Sequence, residues 1–529
     1  MGEADEAFFS RASVKTEIGK LSERKHWTIY VGAGATMDRT GTSWSDLVGE
    51  LLREDFEDEG SRKAILKSAA PIEAATVAAQ SYQNRFGDDW RDRLNDSIRS
   101  RLYRQPLSPS GKIVSSAIDL AVSCIAREGS AIIVTPNYDD FLIQECERRV
   151  DVPDYVYVPL GPEDGDEVDD PDHLEEGADE SLEDLLEEIL AEASKGVLWI
   201  VHVHGLLRSH VDPEGDLVAN PVLSERDYWG TSSRTREILG RLFEDRSVLI
   251  AGSSMTDAPL LNALLDTQKS SSRDQRSAIM RVHENSLGGK HLARDFLRVR
   301  LQHFGVSLFP VDHYSQVAQL MTEVRLCGEV GAAAYLAHNS SVRYGPRLTG
   351  WWREWSNKPG SLPSRQASAH RYLRRKMPTL RAILDAPEAE PMKLEIWMRW
   401  QPERRRELRL WASSVGPWVD ELSMRSAPLN GGEETVAVKA FSMGTVISQE
   451  LDGPRWCTYL ATPIWVGEED GAEFAAGVAV VSSMHPQDAS ALGPKNSTRV
   501  SAALLDIHRI GKRLLDLQRG EGADPIPGK

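Results

Sequence analysis

Four runs of apolar residues in the first half of the chain each end in a cluster of small and polar residues. The runs begin at Trp27, Ala131, Val197 and Ser247. Because they are short and continuously apolar, they predict strands buried on both faces, as in a parallel sheet covered by helices. Ligands of such sheets lie beyond the carboxyl ends of the strands, where residues from separate strands meet. The pattern therefore predicts a Rossmann-like α/β domain with a ligand site at one edge of its sheet.

The first cluster lies in Tyr30-Val31-Gly32-Ala33-Gly34-Ala35-Thr36, where a strand runs directly into two glycines. An amphipathic helix is predicted to follow, from Ser43 onward. A glycine turn with a helix N-terminus presents free backbone N–H groups and the positive end of a helix dipole, which favour a pyrophosphate. A Gly-x-Gly sequence also closes ordinary tight turns, so the motif alone leaves both interpretations open. The candidate nucleotide-binding residues of this cluster are Gly32, Ala33, Gly34 and Thr36.

The other three clusters place polar side chains at three further strand ends. They are Thr135-Pro-Asn-Tyr-Asp139, His204-Gly205 and Gly252-Ser-Ser-Met-Thr-Asp257. Asn137 has a plainer alternative as the N-cap of a helix that begins with the next residue, and Asp257 has one as the cap of the helix after it. His202 lies two positions before His204 on the same strand face, so spacing alone does not say which of the two is functional.

These clusters, in this order, resemble the SIR2-like (sirtuin-related) family of NAD-consuming domains over roughly residues 10–325. The resemblance rests on Gly-Ala-Gly-Ala-Thr, Thr-Pro-Asn-Tyr-Asp, the His-Gly pair and Gly-Ser-Ser-Met-x-Asp. A fifth piece, Leu301–Val306 followed by Val311-Asp312-His313, resembles the late strand that closes the adenosine side of the family's pocket. The resemblance implies a Rossmann-like domain that binds NAD+.

Two departures indicate which branch of the family the chain resembles. Protein-deacetylating sirtuins carry a zinc module of two Cys-x-x-Cys pairs, whereas no two cysteines of this chain have that spacing, so no zinc is expected. The run after the glycine loop reads Gly41-Thr-Ser-Trp-Ser-Asp46 instead of the deacetylase Gly-Ile-Pro-Asp-Phe-Arg. This resembles the bacterial defence branch, which hydrolyses NAD. A metal site at His202, His204 and His210 is disfavoured, because no cysteine or carboxylate pattern completes it.

By this resemblance, Asn137 and His204 are the catalytic candidates. Asn137 would hold a ribose hydroxyl or the attacking water, because a carboxamide offers both a donor and an acceptor. His204 would act as general base, since an imidazole titrates near working pH and the His-Gly pair is the family's. The residues expected to contact NAD are Gly32, Ala33, Gly34, Thr36, Asp139, Gly252, Ser253, Ser254, Asp257 and His313.

The net charge of −18 is concentrated in one insertion, residues 162–195, which holds sixteen acidic residues and one lysine. Its first part, 163–170, predicts a solvated loop, and Leu182–Leu190 predicts a helix that packs on the core. The rest of the chain is nearly neutral, which argues against nucleic acid as the main ligand. Without a long apolar run or a signal-like N-terminus, the sequence predicts a cytoplasmic protein that is not membrane-bound.

The chain changes character after residue 326. Residues 327–364 are predicted to form a linker, interrupted by a Trp-rich stretch. Helices are then predicted over 365–385 and 497–517, with strands over 435–441, 457–466 and 477–483 between them. This α+β order resembles a GAF-type sensor or oligomerisation domain over 365–520, to which no ligand residue is assigned. The predicted organisation is therefore a SIR2-like domain over 1–326, the linker, and a smaller GAF-like domain.

The function predicted from this resemblance is a cytoplasmic NAD+ glycohydrolase that releases nicotinamide and ADP-ribose or a cyclic isomer. In antiphage defence, such an enzyme would deplete NAD in an infected cell under control of the C-terminal domain. A small-molecule or protein trigger and a homo-oligomeric state are expected. The alternatives are an NAD-dependent protein deacylase or ADP-ribosyltransferase, and a non-catalytic sensor of NAD or ADP-ribose.

Overall fold

The computed structural model describes most of the chain in segments separated by short gaps. The described residues are 8–9, 11–54, 56, 58–104, 111–162, 176–209, 219–268, 276–282, 290–311, 314–338, 340–416, 420–429, 435–451, 455–467 and 473–517. Among them, no helix combines the length and the apolarity that crossing a membrane requires.

Seven parallel strands form one sheet in the described part of the first half, which confirms the predicted Rossmann-like domain. Their order across the sheet is β3-β4-β2-β1-β5-β6-β7. The strands are β1 (His26–Val31), β2 (Ser130–Thr135), β3 (Tyr155–Pro159), β4 (Leu198–His202), β5 (Ser247–Ala251), β6 (Arg276–Arg281) and β7 (Ser307–Val311). The runs predicted as buried strands form β1, β2, β4 and β5, although the run at 131–143 becomes a strand only as far as Thr135. The piece at 301–306 instead begins within a helix, and the late strand starts at Ser307.

Helices cover both faces of this sheet. The described helices of the first half are α1 (Ala12–Ser22), α2 (Gly34–Thr40), α3 (Trp44–Leu51), α4 (Glu59–Ser68), α5 (Pro71–Phe86), α6 (Trp90–Arg104), α7 (Ile113–Ala126), α8 (Phe141–Glu147), α9 (Glu176–Ser194), α10 (Glu225–Phe243), α11 (Ala258–Asp266), α12 (Lys290–His303) and α13 (Ser315–Val330). Within β2, Ile133 joins one hydrophobic core, whereas Ile132 and Val134 join the core on the opposite face. A third core, formed by α3, α5 and α6, also includes Tyr138 and Leu207, and so lies beside the carboxyl edge of the sheet.

The acidic insertion contains the predicted helix. Helix α9 buries Leu182, Leu186 and Ile189 in the core shared with α10 and α11, which confirms the prediction for the second part of the insertion. The predicted loop at 163–170 lies outside the described residues.

The second half is built on an antiparallel sheet with the strand order β10-β9-β8-β13-β12-β11 among the described residues. The strands are β8 (Met392–Arg399), β9 (Glu407–Ser413), β10 (Ser426–Pro428), β11 (Ile447–Glu450), β12 (Thr458–Val466) and β13 (Phe474–Ser483). The remaining described helices are α14 (Ala332–Leu336), α15 (Tyr344–Ser356), α16 (Leu362–Leu384), α17 (Val436–Met443) and α18 (Ser497–Leu515). Helices α16 and α18 confirm the two predicted helices, and β12 and β13 confirm two of the predicted strands.

The prediction of a strand at 435–441 was wrong, because this segment forms α17. Thr435 caps the helix by accepting a hydrogen bond from Val438 N at 3.3 Å, and Gly444 ends it in the left-handed conformation at φ 71°. Most of the helix is buried in a core with β12 and β13, so burial on several sides removed the polar face that would have marked it as helical.

The segment predicted as a linker, 327–364, is mostly helical and packed. It contains the end of α13, then α14, and then α15, whose Trp351 and Trp355 are buried. The indole N–H groups of these tryptophans donate to the backbone oxygens of Leu515 and Leu514 at the end of α18, at 2.9 and 3.1 Å. The tryptophan-rich stretch therefore fastens the segment to the last helix of the second half.

Helix α2 also contacts the second half. The backbone oxygen of Asp38 accepts a hydrogen bond from Thr445 Oγ1, which follows α17, at 2.9 Å. The Asp38 carboxylate accepts one from Ile113 N at the start of α7, also at 2.9 Å. The preceding residue, Lys112, pairs with Glu473 across the two halves at 2.5 Å, and Lys512 pairs with the same carboxylate at 3.0 Å.

A candidate nucleotide site at the carboxyl edge of the parallel sheet

The predicted motifs follow four strands that are neighbours in the sheet. The strands β4, β2, β1 and β5 lie side by side, and they lead into His204, Asn137, the glycine loop at 32–36 and Gly252. Because all four strands are parallel, their carboxyl ends meet at one edge. Residues more than 200 positions apart in sequence therefore lie at the same edge of the sheet.

Three glycines allow the loops after β1 and β5 to touch. Gly34 N donates to Gly252 O at 2.7 Å, and Gly32 N donates to Ala251 O at 2.9 Å. A Cβ atom on Gly32 or Gly34 would lie 2.8 Å from the backbone of Gly252, which is closer than real Cβ contacts come. Gly252 itself has φ 69°, a conformation that favours glycine. The glycines therefore have a packing role besides the phosphate contact predicted for them, and the amides of Gly32, Gly34 and Ala35 donate within the protein.

Asn137 is tied to the glycine loop rather than to a helix. Its Nδ2 donates to Gly32 O at 3.1 Å, and its backbone N donates to Thr135 Oγ1 at 3.1 Å. The following helix, α8, begins only at Phe141, so the alternative that Asn137 caps a helix starting at Tyr138 was wrong. The Oδ1 atom of Asn137 accepts no hydrogen bond from any residue that the structure describes. This oxygen is therefore available to a hydroxyl group or a water.

Asp139 is buried and joins the start of α2 to the loop after β2. Its carboxylate accepts hydrogen bonds from Thr36 Oγ1 and, at 3.3 Å, from Phe141 N. Burial raises the pKa of Asp139 to about 6, although both hydrogen bonds act in the opposite direction. Two of the predicted nucleotide-binding residues, Thr36 and Asp139, therefore contact each other directly.

The structure distinguishes the two histidines that sequence spacing left equivalent. His202 Nδ1 bonds to the backbone oxygen of Asn137 at 3.1 Å, and its Nε2 is buried without a partner among the described residues. Neither ring nitrogen of His204 bonds to a described residue. Gly205, at φ 92°, lets the backbone after His204 pass so close to Asn220 O that a Cβ would lie 2.2 Å away. His202 thus supports the Asn137 loop through Nδ1, whereas both ring nitrogens of His204 are unoccupied by described residues.

Asp257 and Tyr228 form the surroundings of His204. Asp257 caps α11 by accepting from Leu260 N at 3.2 Å, as the alternative interpretation predicted, and it also accepts from Tyr228 Oη at 3.1 Å. The Tyr228 ring lies edge-on to the His204 ring at a centroid distance of 6.2 Å. Burial lowers the pKa of His204, while the Asp257 carboxylate opposes that shift. Sequence reasoning missed Tyr228, although Ser224 and Asp227 form a capping box that marks the start of its helix.

The remaining candidates lie in the loop after β5, at Ala33 of the glycine loop, or outside the described residues. Ser253 Oγ accepts from Met255 N at 3.0 Å, and Ser254 Oγ lies 2.7 Å from Thr256 Oγ1, so both hydroxyls stabilise the turn itself. Ala33 precedes α2 and makes no side-chain cap. His313, like His210 of the alternative metal site, lies outside the described residues. No group of three or more His, Cys, Asp or Glu residues in the described segments is placed to hold a metal ion.

A seven-stranded parallel sheet of this order, with a glycine loop after its central strand, is a Rossmann-like α/β domain. The family model of the SIR2-like domain matches residues 131–306, from β2 to the residue before β7, and so includes Asn137, His204 and Gly252. No curated protein matches the chain. Residues 131–306 of the first half are therefore similar to a SIR2-like domain, as the sequence resemblance predicted.

Proposed function

We propose that this protein is an NAD+ glycohydrolase whose catalytic residues are Asn137 and His204. The observation that supports it best is the convergence of Asn137 and His204, at the ends of adjacent strands, with the glycine loop after the next strand. The side chains of both carry polar atoms that no described residue occupies, which is what substrate contact requires. The remaining predicted NAD contacts at this edge are part of the same proposal.

The proposed reaction breaks the bond between C1′ of the ribose and the nicotinamide nitrogen. Nicotinamide leaves with the bonding electron pair, and the ribose passes through an oxocarbenium-like state. Water adds at C1′ and gives up a proton, so that the products are nicotinamide and ADP-ribose. Asn137 Oδ1 would accept a hydrogen bond from a ribose hydroxyl or from this water, while its Nδ2 stays bonded to Gly32 O.

His204 has the protonation state that a general base needs. Burial lowers its pKa, so the ring is neutral near pH 7 and can accept a proton from water or a ribose hydroxyl. The nearby Asp257 carboxylate would stabilise the imidazolium formed by that transfer, because opposite charges attract strongly in a poorly solvated site. Asp139, whose pKa is raised to about 6, would orient the ribose.

The direct test is release of nicotinamide and ADP-ribose from NAD+ by the purified full chain. We expect Asn137→Ala and His204→Ala each to lower kcat by at least about 100-fold, the usual effect of losing a positioned acid–base group. Asn262→Ala and His303→Ala are matched controls, because both residues are exposed on helices and neither is a predicted site residue. Turnover that persists in the two site variants would contradict the assignment of these residues.

The same assay separates the competing functions. Nicotinamide release that depends on an acyl-lysine peptide would identify a deacylase, and ADP-ribose found on protein would identify a transferase. NAD+ binding without turnover, with and without lysate of phage-infected cells as a source of trigger, would identify a sensor. The predicted role in antiphage defence, the trigger, control by the GAF-like domain and the homo-oligomeric state stay predictions of this proposal.

A further inference from the structure

The second half contains a cavity that the proposed reaction does not use. Its volume is about 580 Å³, and it lies between α16, the start of β8, the end of β9 and the residues that precede β12. Pockets for small organic ligands usually measure about 300–1,000 Å³. The cavity is therefore large enough for one small molecule and too small for a folded partner.

Positive charge dominates the wall of this cavity. Lys393 and Arg425 both bond to one oxygen of Glu395, at 2.8 and 2.5 Å. Arg455 is exposed at the rim and pairs with no residue that the structure describes. Among the described lining residues, three cationic side chains accompany a single carboxylate, which leaves an excess of positive charge.

Among the residues that the structure describes, Glu395 is the anionic partner of the Lys393 ammonium group. Its side chain is only 6% exposed, and desolvation lowers its pKa even though Glu395 favours the charged form. Since Arg425 shares the same carboxylate oxygen, Glu395 balances only one of the two charges. A buried cation that is only partly compensated is unfavourable, and an anionic ligand would supply the missing charge.

An aromatic and apolar surface adjoins these cations. The Trp456 ring lies 4.7 Å from Lys393 Nζ, and the Trp397 ring lies 5.3 Å from the Arg425 guanidinium carbon. Met392, Leu410 and Met484 also line the cavity. Methionine and tryptophan side chains contact flat aromatic groups well, because they are polarisable and adapt in shape.

We propose that this cavity binds a small organic anion with an aromatic body. The anionic group would lie on Lys393 and Arg425, with Arg455 at the entrance, and the aromatic body would lie against Trp456 and the methionines. The neighbouring part of the same sheet face is filled, because Trp397 packs under α17 in a closed hydrophobic core. The ligand would therefore lie on the antiparallel sheet of the second half, at the end beyond α17.

The probe for this site is 1-anilinonaphthalene-8-sulfonate, an aromatic anion whose fluorescence rises in an apolar pocket. We expect saturable binding of about one probe per chain, measured in the absence of NAD+. Lys393→Met and Arg425→Gln should each weaken binding at least tenfold. Arg425→Gln is the safer variant for folding, because the Arg425 side chain is 57% exposed.

Two controls separate recognition of the negative charge from nonspecific hydrophobic binding. N-phenyl-1-naphthylamine carries the same rings without the sulfonate, and its binding should be weaker and insensitive to Arg425→Gln. Arg405→Gln removes a comparable surface charge, paired with Glu407 at 3.3 Å and outside the cavity, and should leave binding of the sulfonate unchanged. No saturable binding, or equal binding by wild type and both cavity variants, would overturn the proposal. Either result is independent of whether the first half hydrolyses NAD+.

Discussion

At the scale of single residues, the contact between Gly34 and Gly252 leaves no room for a methyl group. Both loops leave adjacent strands, and their backbones approach each other to hydrogen-bond distance. The sequence predicted that glycines belong here but assigned them to a phosphate. It did not predict the packing role, because the partner is more than 200 residues away and only the strand order brings the two loops together.

Gly34→Ala should destabilise the fold by about 1–3 kcal/mol, the usual cost of overpacking a tight site. The new Cβ would lie 2.8 Å from the Gly252 backbone, so one of the two loops must move. Urea unfolding, followed by circular dichroism, measures the change. Gly230→Ala is the control, because it lies in the exposed part of α10 with open space around it and should add about 0.5–1 kcal/mol of stability. Equal stability of the two variants would contradict this account.

Asn137 shows which features of the site could be predicted from the sequence. Its position after a buried strand was predicted, and so was its place at the sheet edge. Its bond to Gly32 was not, since 105 residues separate the partners. The choice between His202 and His204 likewise needed three-dimensional contacts, because two residues on one strand face look the same in sequence.

At the scale of elements, the central strands were predictable and α17 was not. Short, continuously apolar runs have few alternatives when turn residues bound them, which is why β1, β2, β4 and β5 were found. The segment 435–441 alternates in a way that fits a strand, yet Thr435 and Gly444 cap it as a helix. Helix α10 was not predicted, because a mostly polar sequence follows its capping box at Ser224.

The ion pairs of Glu473 join elements from the two halves. Burial tends to raise the pKa of Glu473, but Lys112 and Lys512 outweigh it and hold the pKa at about 2. A carboxylate with a lowered pKa in the folded state stabilises the fold above its ordinary pKa near 4.5, and this contribution disappears as the pH falls toward 2.

Glu473→Gln should therefore cost about 1 kcal/mol at pH 7, allowing for the partial exposure of all three side chains. The difference in free energy of unfolding between wild type and variant should narrow between pH 4.5 and pH 3. Denaturant unfolding at pH 7, 4.5 and 3 measures it. Glu329→Gln, which removes an exposed carboxylate paired with Arg325 on one helix, should cost less than about 0.5 kcal/mol at every pH. A pH-independent loss in Glu473→Gln would rule out the ionic explanation.

At the scale of the whole molecule, a single hydrophobic core runs through both halves. It extends from Ile29 in β1 through Met321 in α13 and Trp351 in α15 to Leu504 in α18. The segment predicted as a linker supplies the middle of this core. Its composition, rich in glycine, proline and asparagine at the ends, predicted a linker and did not reveal the buried helix between.

Because of this shared core, the two halves should unfold together. Urea unfolding followed by tryptophan fluorescence and by circular dichroism at 222 nm should give one transition with the same midpoint. Trp351→Ala should lower that midpoint for both probes, since it opens a cavity in the middle of the core and removes the bond to Leu515. Two separate transitions in the wild-type chain would show that the halves are energetically independent.

Helix α2 has only seven residues, so it is about 10 Å long and moves as a rigid body. Gly34 at one end contacts the loop after β5, and Asp38, one turn further on, is held by Thr445 of the second half. No flexible segment lies between these two attachments. A shift of the second half against the first must therefore either break the Thr445 bond or displace the glycine loop. As long as that bond holds, the distance between the loops at the sheet edge depends on the relative position of the two halves.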